Sequence, residues 1–224
     1  MNSIKVPSWA LNRPKTLLQE LVDFIAIPLR MAMLPDHICE RFHITSLRAE
    51  RFAKILPLLK GRVLDIGAGD NMLLKLYAER SASNVHDSIG LDVVDWGGNC
   101  IIVPNCKALP FESNSFDTIC FIACLNHIPE RNEAIAEAFR VLRPGGRVVV
   151  TMINRTLGTL GHKIWWYSED KHRDVDEDEE MGMNNGEILK LLEDNSFIDI
   201  VHERFVYGMN NVFIGMKPIS SGVR

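Results

Sequence analysis

The stretch VLDIGAGDN, residues 63–71, decides the fold. Its first half is short and apolar, which is typical of a strand buried on both faces. Its second half places two glycines and turn residues directly before a helical pattern at 72–80. A strand that passes through a glycine turn into a helix is the start of a β-α-β unit, so the stretch predicts a parallel sheet.

The rest of the chain repeats this alternation. Further strands are predicted at 88–93, 100–103, 116–124 and 147–152, with a clear amphipathic helix at 132–143 that Pro144-Gly145-Gly146 should end. The helix at 187–194 precedes two strands, 197–205 and 211–216, whose connection is short enough to permit only antiparallel pairing. We therefore predict an α/β fold with a seven-stranded, mostly parallel sheet, a C-terminal antiparallel hairpin and helices on both faces.

The pattern divides the chain into four segments. We expect an N-terminal helical cap at 1–56, a core at 57–153, an insert or lid at 154–183, and a C-terminal part at 184–218 that completes the core. Within the cap, the apolar stretch 17–34 is interrupted by Pro28, which predicts two short helices. These helices pack over the mouth of the site or form a surface for a membrane interface or a lipid-like substrate.

Composition narrows the classes of function. The 224 residues carry 25 basic and 29 acidic side chains, a net charge of −4, which disfavours a nucleic-acid partner. The five cysteines form no C-x-x-C pair and are expected to be free thiols in a reducing compartment. Since no long uncharged apolar run and no signal-peptide pattern is present, we expect a cytoplasmic protein.

The glycine turn predicts a ligand site. Gly67 and Gly69 lack a Cβ, so a ligand can approach the backbone closely at the carboxyl edge of the sheet. Asp92 ends the second strand, where a carboxylate can accept hydrogen bonds from a ribose diol. Met72 stands where a dinucleotide fingerprint needs a third glycine, which weakens the alternative of an NAD-dependent oxidoreductase.

Five segments together resemble the class I S-adenosylmethionine (SAM)-dependent methyltransferases, in the type-11 group that includes the quinone-biosynthesis methyltransferases. The matching segments are VLDIGAGDN (63–71), GLD (90–92), LPFESNSFDTI (109–119), LNHIPE (125–130) and RVLRPGGRVVVT (140–151). The resemblance covers residues 57–153, and more loosely 184–216. It implies a Rossmann-like core, SAM as cofactor, and a small-molecule methyl acceptor.

The resemblance also implies roles for single residues at the cofactor. Asp65 would order the glycine loop and help hold the methionine amino group. Gly67, Ala68 and Gly69 would lie against the methionine part of SAM. Asp92 would bind the ribose hydroxyls, with Val93 against the adenine.

Two further pairs complete the implied cofactor site. Asn105 stands where the family usually has an aspartate facing the adenine amino group, and its amide oxygen can accept the same hydrogen bond; Cys106 follows it. Ala123 and Cys124, at the end of the fourth strand, would line the methionine end.

The candidate residues on the acceptor side of the site each have two possible roles. His127 follows the fourth strand and is a candidate general base, since histidine titrates near neutral pH; the alternative is that it braces its loop. Asn126 stands where some quinone O-methyltransferases have a metal-binding glutamate, so we expect no metal. Trp165, Trp166 and Tyr167 either line the acceptor pocket as part of a lid or pack in the core. The acidic run that follows, 169–180, is typical of a solvated loop.

The leading prediction is thus a SAM-dependent methyltransferase with a small, hydrophobic or ring-containing acceptor. Two alternatives stay open beside the oxidoreductase: a non-catalytic SAM-binding or scaffold protein, and a methyltransferase acting on a macromolecule. Positioning of the acceptor and SAM can supply much of the reduction of the activation barrier in this kind of reaction.

Overall fold

The computed structural model describes residues 15–31, 36–81, 87–153 and 183–219. These residues form seven strands, β1 Val63–Ile66, β2 Ile89–Asp92, β3 Ile101–Ile102, β4 Phe116–Ile122, β5 Leu142–Ile153, β6 Ile198–Phe205 and β7 Asn210–Met216. They pair into one sheet in the order β3-β2-β1-β4-β5-β7-β6, and β7 pairs antiparallel with both β5 and β6. The predicted fold class is therefore confirmed.

Helices surround this sheet and extend from it at the N-terminal side. They are α1 Leu17–Ile25, α2 Ile27–Met31, α3 Asp36–Arg41, α4 Leu47–Ile55, α5 Met72–Arg80, α6 Arg131–Val141 and α7 Asn185–Asp194, with short 3-10 turns at Leu56–Leu58 and Leu125–His127. The predicted break before Pro28 is confirmed, since α1 ends at Ile25 and α2 begins at Ile27.

Alternate residues of the central strands bury against different helices. One core joins α6 and α7 to strand residues that include Leu64, Ile66, Ile119, Phe121, Val148 and Val150. The other joins α4 and α5 to their neighbours Val63, Cys120, Val149 and Val212. Because side chains alternate between the two faces of a strand, these two cores place helices on both faces of the sheet.

The Pro144-Gly145-Gly146 turn differs from its prediction. Helix α6 already ends at Val141, and β5 begins at Leu142, so the turn lies inside the strand. The Gly145 N–H donates to the Lys217 carbonyl, and the Lys217 N–H donates to the Gly146 carbonyl, both at 2.9 Å. This pairing with the chain after β7 extends β5 backward, and the β4–β5 register shifts between Phe116 and Thr118.

The N-terminal helices are joined to the sheet through α4. Ser46 caps α4 by accepting a hydrogen bond from the Ala49 N–H at 3.0 Å. Leu47 packs on Val206 and Met209 in the β6–β7 turn. Within the described ranges, no helix is long and apolar enough to cross a membrane.

Candidate active site

The glycine loop is fixed at the carboxyl edge of the sheet by the neighbouring strand. The N–H groups of Gly67 and Ala68 both donate to the carbonyl of Leu91, at 2.8 and 3.1 Å. Since β1 and β2 are parallel neighbours, the loop after β1 lies beside the end of β2. This edge is where open α/β sheets bind their ligands.

The two glycines have different reasons to be there. A Cβ on Gly67 would lie 2.6 Å from the Cβ of Cys124, so only glycine allows the loop to pack against the end of β4. A Cβ on Gly69 would meet nothing within 4 Å, so the backbone there is open. Both have positive φ angles, +72° and +57°, which glycine adopts without strain.

Asp92 connects the second strand to the glycine loop. Its Oδ2 accepts a hydrogen bond from the Gly69 N–H at 2.8 Å, and its Oδ1 accepts from the Val93 and Val94 N–H groups at 2.8 and 3.0 Å. Oδ2 therefore keeps one lone pair for a ligand hydroxyl. Val93, 51% exposed, offers an apolar surface directly beyond it.

Asp65 is the most unusual side chain of the site. It is buried, and its Oδ1 has no hydrogen-bond partner. Burial, followed by the nearby charges of Asp92 and Asp70, raises the pKa of Asp65 to about 8, while Arg48 acts in the opposite direction. A buried carboxyl of this kind is suited to a cationic donor such as an amine.

The end of β4 lies on the other side of the glycine loop from β2. Ala123 has a positive φ of +54°, an uncommon conformation for a residue with a Cβ, and its N–H donates to the Thr151 carbonyl at 3.1 Å. The Cys124 thiol donates to the Ile66 carbonyl at 3.0 Å. Burial raises the pKa of Cys124 well above its ordinary value, so the sulfur stays a neutral donor.

The pair after β3 lies differently from the other predicted residues. The Asn105 side-chain oxygen accepts the Lys107 N–H at 3.0 Å, so one of its lone pairs orders its own loop. The Cys106 side chain is buried in the core that contains α6 and α7, and burial raises the pKa of its thiol to about 11. Any contact of Cys106 with a ligand therefore falls to its backbone.

His127 lies in the 3-10 turn after β4. Its N–H donates to the Cys124 carbonyl at 2.9 Å, and its Nε2 lies 3.0 Å from Nδ2 of Asn126. The Asn126 amide nitrogen is the donor of this hydrogen bond and His127 Nε2 is the acceptor. In the part of the chain that the structure describes, no group of three or more His, Cys, Asp or Glu side chains could hold a metal ion.

Sequence reasoning missed one ion pair that reaches the glycine loop. The Arg48 guanidinium, from α4, pairs with the Asp70 carboxylate directly after Gly69. The same Asp70 oxygen accepts the Met72 N–H at 3.2 Å at the start of α5, and Lys75 Nζ donates to the Asp70 carbonyl at 3.0 Å. No local pattern predicts this contact, because Arg48 and Asp70 meet only through tertiary packing.

The predicted acceptor residues Trp165, Trp166 and Tyr167 lie outside the described residues, as does the acidic run 169–180. Asp65, Gly67, Ala68, Gly69, Asp92, Val93, Ala123 and Cys124, by contrast, come from the ends of the adjacent strands β1, β2 and β4 and meet at one edge, whereas Asn105 and Cys106 follow β3. They fit SAM on three counts: an unpartnered buried carboxyl for its amine, open backbone at Gly69, and an exposed apolar side chain at Val93.

Comparison with known proteins agrees with this fit. Residues 64–150 match the family model described as a methyltransferase domain. Over these residues the chain is similar to methyltransferase domains. The match begins inside β1 and ends inside β5, so it contains the glycine loop, Asp92 and the end of β4.

Two curated relatives and one solved structure illustrate the likeness. The ubiquinone/menaquinone biosynthesis C-methyltransferase of Bordetella avium is 31% identical over 52% of this chain and 49% of its own length. The ubiquinone biosynthesis O-methyltransferase of Mesorhizobium japonicum is 27% identical over 61% and 56%. A SAM-dependent methyltransferase of Thermotoga maritima, a possible histamine N-methyltransferase, superposes with a TM-score of 0.57 at 17% identity, over 89% of this chain and 98% of that one. The chain thus spans about half the length of the curated relatives.

Proposed function

We propose that this protein transfers the methyl group of SAM to a small, apolar, ring-containing acceptor of the quinol type. The observation that supports this most is the buried, unpartnered Oδ1 of Asp65 beside the open backbone at Gly69. A buried carboxyl oxygen without a partner is costly unless a ligand completes it. The acceptor class follows from the quinone methyltransferases among the relatives.

The chain's own residues would bind SAM and orient it. Asp65 would hold the amino group of the methionine part, and the backbone at Gly69 would lie beside it. Asp92 would accept a ribose hydroxyl on Oδ2 while it keeps Gly69 in place through the same oxygen. When bound, SAM supplies a methyl group already activated on a positively charged sulfur. The protein's contribution is therefore alignment of the acceptor and exclusion of water.

His127 is proposed as the base that takes the acceptor's hydroxyl proton on Nε2. The acceptor hydroxyl would replace the Asn126 amide as the donor to that nitrogen. We expect His127→Gln to lower kcat about a hundredfold or more and to leave the Kd for SAM unchanged. The acid limb of the kcat/KM profile should disappear in this variant.

Asn126→Ala is the matched control, because it removes the donor to Nε2 and keeps the imidazole. Near-normal kcat in Asn126→Ala, together with the loss in His127→Gln, supports a base. Equal losses in both variants, with the pH profile unchanged, would instead assign His127 to bracing the turn.

The activity itself is tested by incubating the protein with SAM labelled in its methyl group and a panel of acceptors. Quinols and phenols form the first group, and lipids, amines, protein and RNA form the others. We expect label to enter the ring compounds. Tight SAM binding with no transfer to any acceptor would favour the non-catalytic alternative, and labelled protein or RNA would favour the macromolecular one.

A further inference from the structure

Two buried polar side chains near the carboxyl edge of the sheet have no hydrogen-bond partner and no part in the proposed cofactor site. Asn210, at the start of β7, is 1% exposed, and neither its amide nitrogen nor its amide oxygen has a partner. Thr151, near the end of β5, is fully buried, and its Oγ1 has no partner either. Because unpaired buried polar groups cost free energy, such groups indicate a ligand or an ordered water that completes them.

Buried side chains of the same two types are paired elsewhere in this sheet. Asn211, the next residue of β7, is equally buried, but its Oδ1 lies 2.8 Å from His202 Nε2 and its Nδ2 donates to the Met152 carbonyl at 3.4 Å. The hydroxyl of Thr118, buried on β4, donates to the Lys60 carbonyl at 2.8 Å and accepts the Lys60 N–H at 3.1 Å. The missing partners are therefore a property of the two positions and not of the residue types.

The two unpaired side chains lie on one face of the sheet. Thr151 is two residues from Val149, and Asn210 is two residues from Val212; both valines pack in the core with α4 and α5. Because side chains alternate along a strand, Thr151 and Asn210 lie on that same face. In the antiparallel pair of β5 and β7, Thr151 is opposite Val212. Asn210 is thus its diagonal neighbour, with the two Cβ atoms about 7 Å apart, so one ligand group can contact both side chains.

Asp65 lies on this face as well. It is two residues from Val63, which packs in the same core. Strands β1, β4 and β5 are successive neighbours, and at about 4.8 Å between strands Thr151 lies about 10 Å across the sheet from the strand that carries Asp65. The end of β4 lies between them. An acceptor bound over the end of β4 would therefore have SAM on one side and the Thr151–Asn210 pair on the other.

We propose that Asn210 and Thr151 bind the ring oxygen of the acceptor that lies farther from the methyl group of SAM. An amide and a hydroxyl each donate and accept hydrogen bonds, so together they complete either a hydroxyl or a carbonyl oxygen on a ring. They would select a ring with two oxygens over a ring with one, because an acceptor without the second oxygen leaves them unpaired. This assignment rests on the proposed function for the class of acceptor.

Binding of two ring compounds to the full chain tests the proposal. Naphthoquinol has two ring hydroxyls and α-naphthol has one, and each is titrated without oxygen by calorimetry in the presence of S-adenosylhomocysteine, the demethylated form of SAM. We expect the wild type to bind naphthoquinol about tenfold more tightly than α-naphthol. Thr151→Val and Asn210→Leu, which remove the polar atoms and keep a similar shape, should each remove most of this preference.

Stability in urea separates a ligand site from a structural role. Because the two side chains have no partner in the ligand-free protein, Thr151→Val and Asn210→Leu should leave the urea midpoint unchanged or raise it. Thr118→Val and Asn211→Leu are the matched controls, since these side chains are buried and paired. The controls should unfold at lower urea and keep the preference for naphthoquinol.

A wild type that binds the two compounds equally, or binds neither, overturns the proposal. It is also overturned when Thr151→Val and Asn210→Leu both keep the preference for naphthoquinol; lower urea midpoints in that case would assign the two side chains to a buried water that stabilises the fold. The proposed function fails separately. Labelled SAM that transfers no methyl group to naphthoquinol contradicts the transfer, whereas a preference that depends on Asn210 and Thr151 would still show that they bind the second ring oxygen.

Discussion

At the scale of single residues, Asp65 makes the stability of the ligand-free protein depend on pH. Its pKa is raised to about 8 in the folded state, against 3.8 as the ordinary value. The folded state therefore binds more protons between these values, and this contribution to the free energy of unfolding is largest below pH 4 and is lost as the pH rises through about 8. Ionised Asp65 therefore lowers the stability of the fold, as expected of a residue that the proposed function assigns to a ligand.

The corresponding prediction concerns Asp65→Asn, which keeps the shape and removes the ionisation. At pH 8.5 we expect the variant to unfold with a free energy about 1–3 kcal/mol higher than the wild type, measured by urea denaturation without SAM. At pH 4 the two should be closer. Asp199→Asn, at an exposed aspartate on β6, is the control and should leave the slope with pH unchanged. If Asp65→Asn keeps the wild-type slope, the carboxyl is ionised and partnered in the folded protein.

At the scale of elements, the ion pair between Arg48 and Asp70 joins α4 to the glycine loop. Both side chains are partly exposed, 36% and 18%, so water screens the attraction between them. Asp70 also accepts a hydrogen bond from the Met72 N–H at the start of α5, and Arg48 stacks over Phe52 with its Cζ 5.1 Å from the ring centroid. The pair thus connects the N-terminal helices to the loop that would bind SAM.

We expect Arg48→Gln to weaken SAM binding two- to fivefold, about 0.5–1 kcal/mol, because the loop loses a positional constraint. A double-mutant cycle with Asp70→Asn, read out by the Kd for SAM, should show that the two effects are not additive. Lys54→Gln is the matched control, since Lys54 is on the same helix and pairs with Glu203, away from the loop. Strict additivity in the cycle, or an equal loss in Lys54→Gln, would contradict a role for the pair at the site.

At the scale of the whole molecule, local sequence patterns predicted most helices and strands. The features that they did not predict depend on contacts between residues far apart in the sequence. Strand β1 and helix α5 were predicted to within a residue or so, because apolar runs and glycine turns act over a few neighbours. Even the wrong boundary, at Pro144-Gly145-Gly146, arises from pairing with distant Lys217. In the candidate site, too, the contacts that the sequence did not predict join residues far apart in the chain.

Asp65, Gly67, Gly69 and Asp92 meet as the sequence predicted, because the parallel topology alone brings strand ends together. Helix α1 buries Asp23 and exposes Leu17, Leu21 and Ile25, an orientation that the sequence did not predict. Its orientation depends on Asp23 contacting Thr45, 22 residues away, and nothing in a helical periodicity indicates which side of a helix a buried ion network will choose.

Calorimetry tests most directly whether this edge of the sheet binds SAM through Asp65 and the glycine loop. The titration uses wild type at pH 7, where Asp65 is mostly protonated, in two buffers of different ionisation enthalpy. Because the ammonium of SAM favours the ionised carboxylate, we predict saturable binding that releases close to one proton, a release that Asp65→Asn abolishes. Two results would contradict SAM binding through Asp65. One is a binding heat on titration with NADH but none with SAM. The other is SAM binding that releases no proton and has the same Kd in Asp65→Asn as in the wild type.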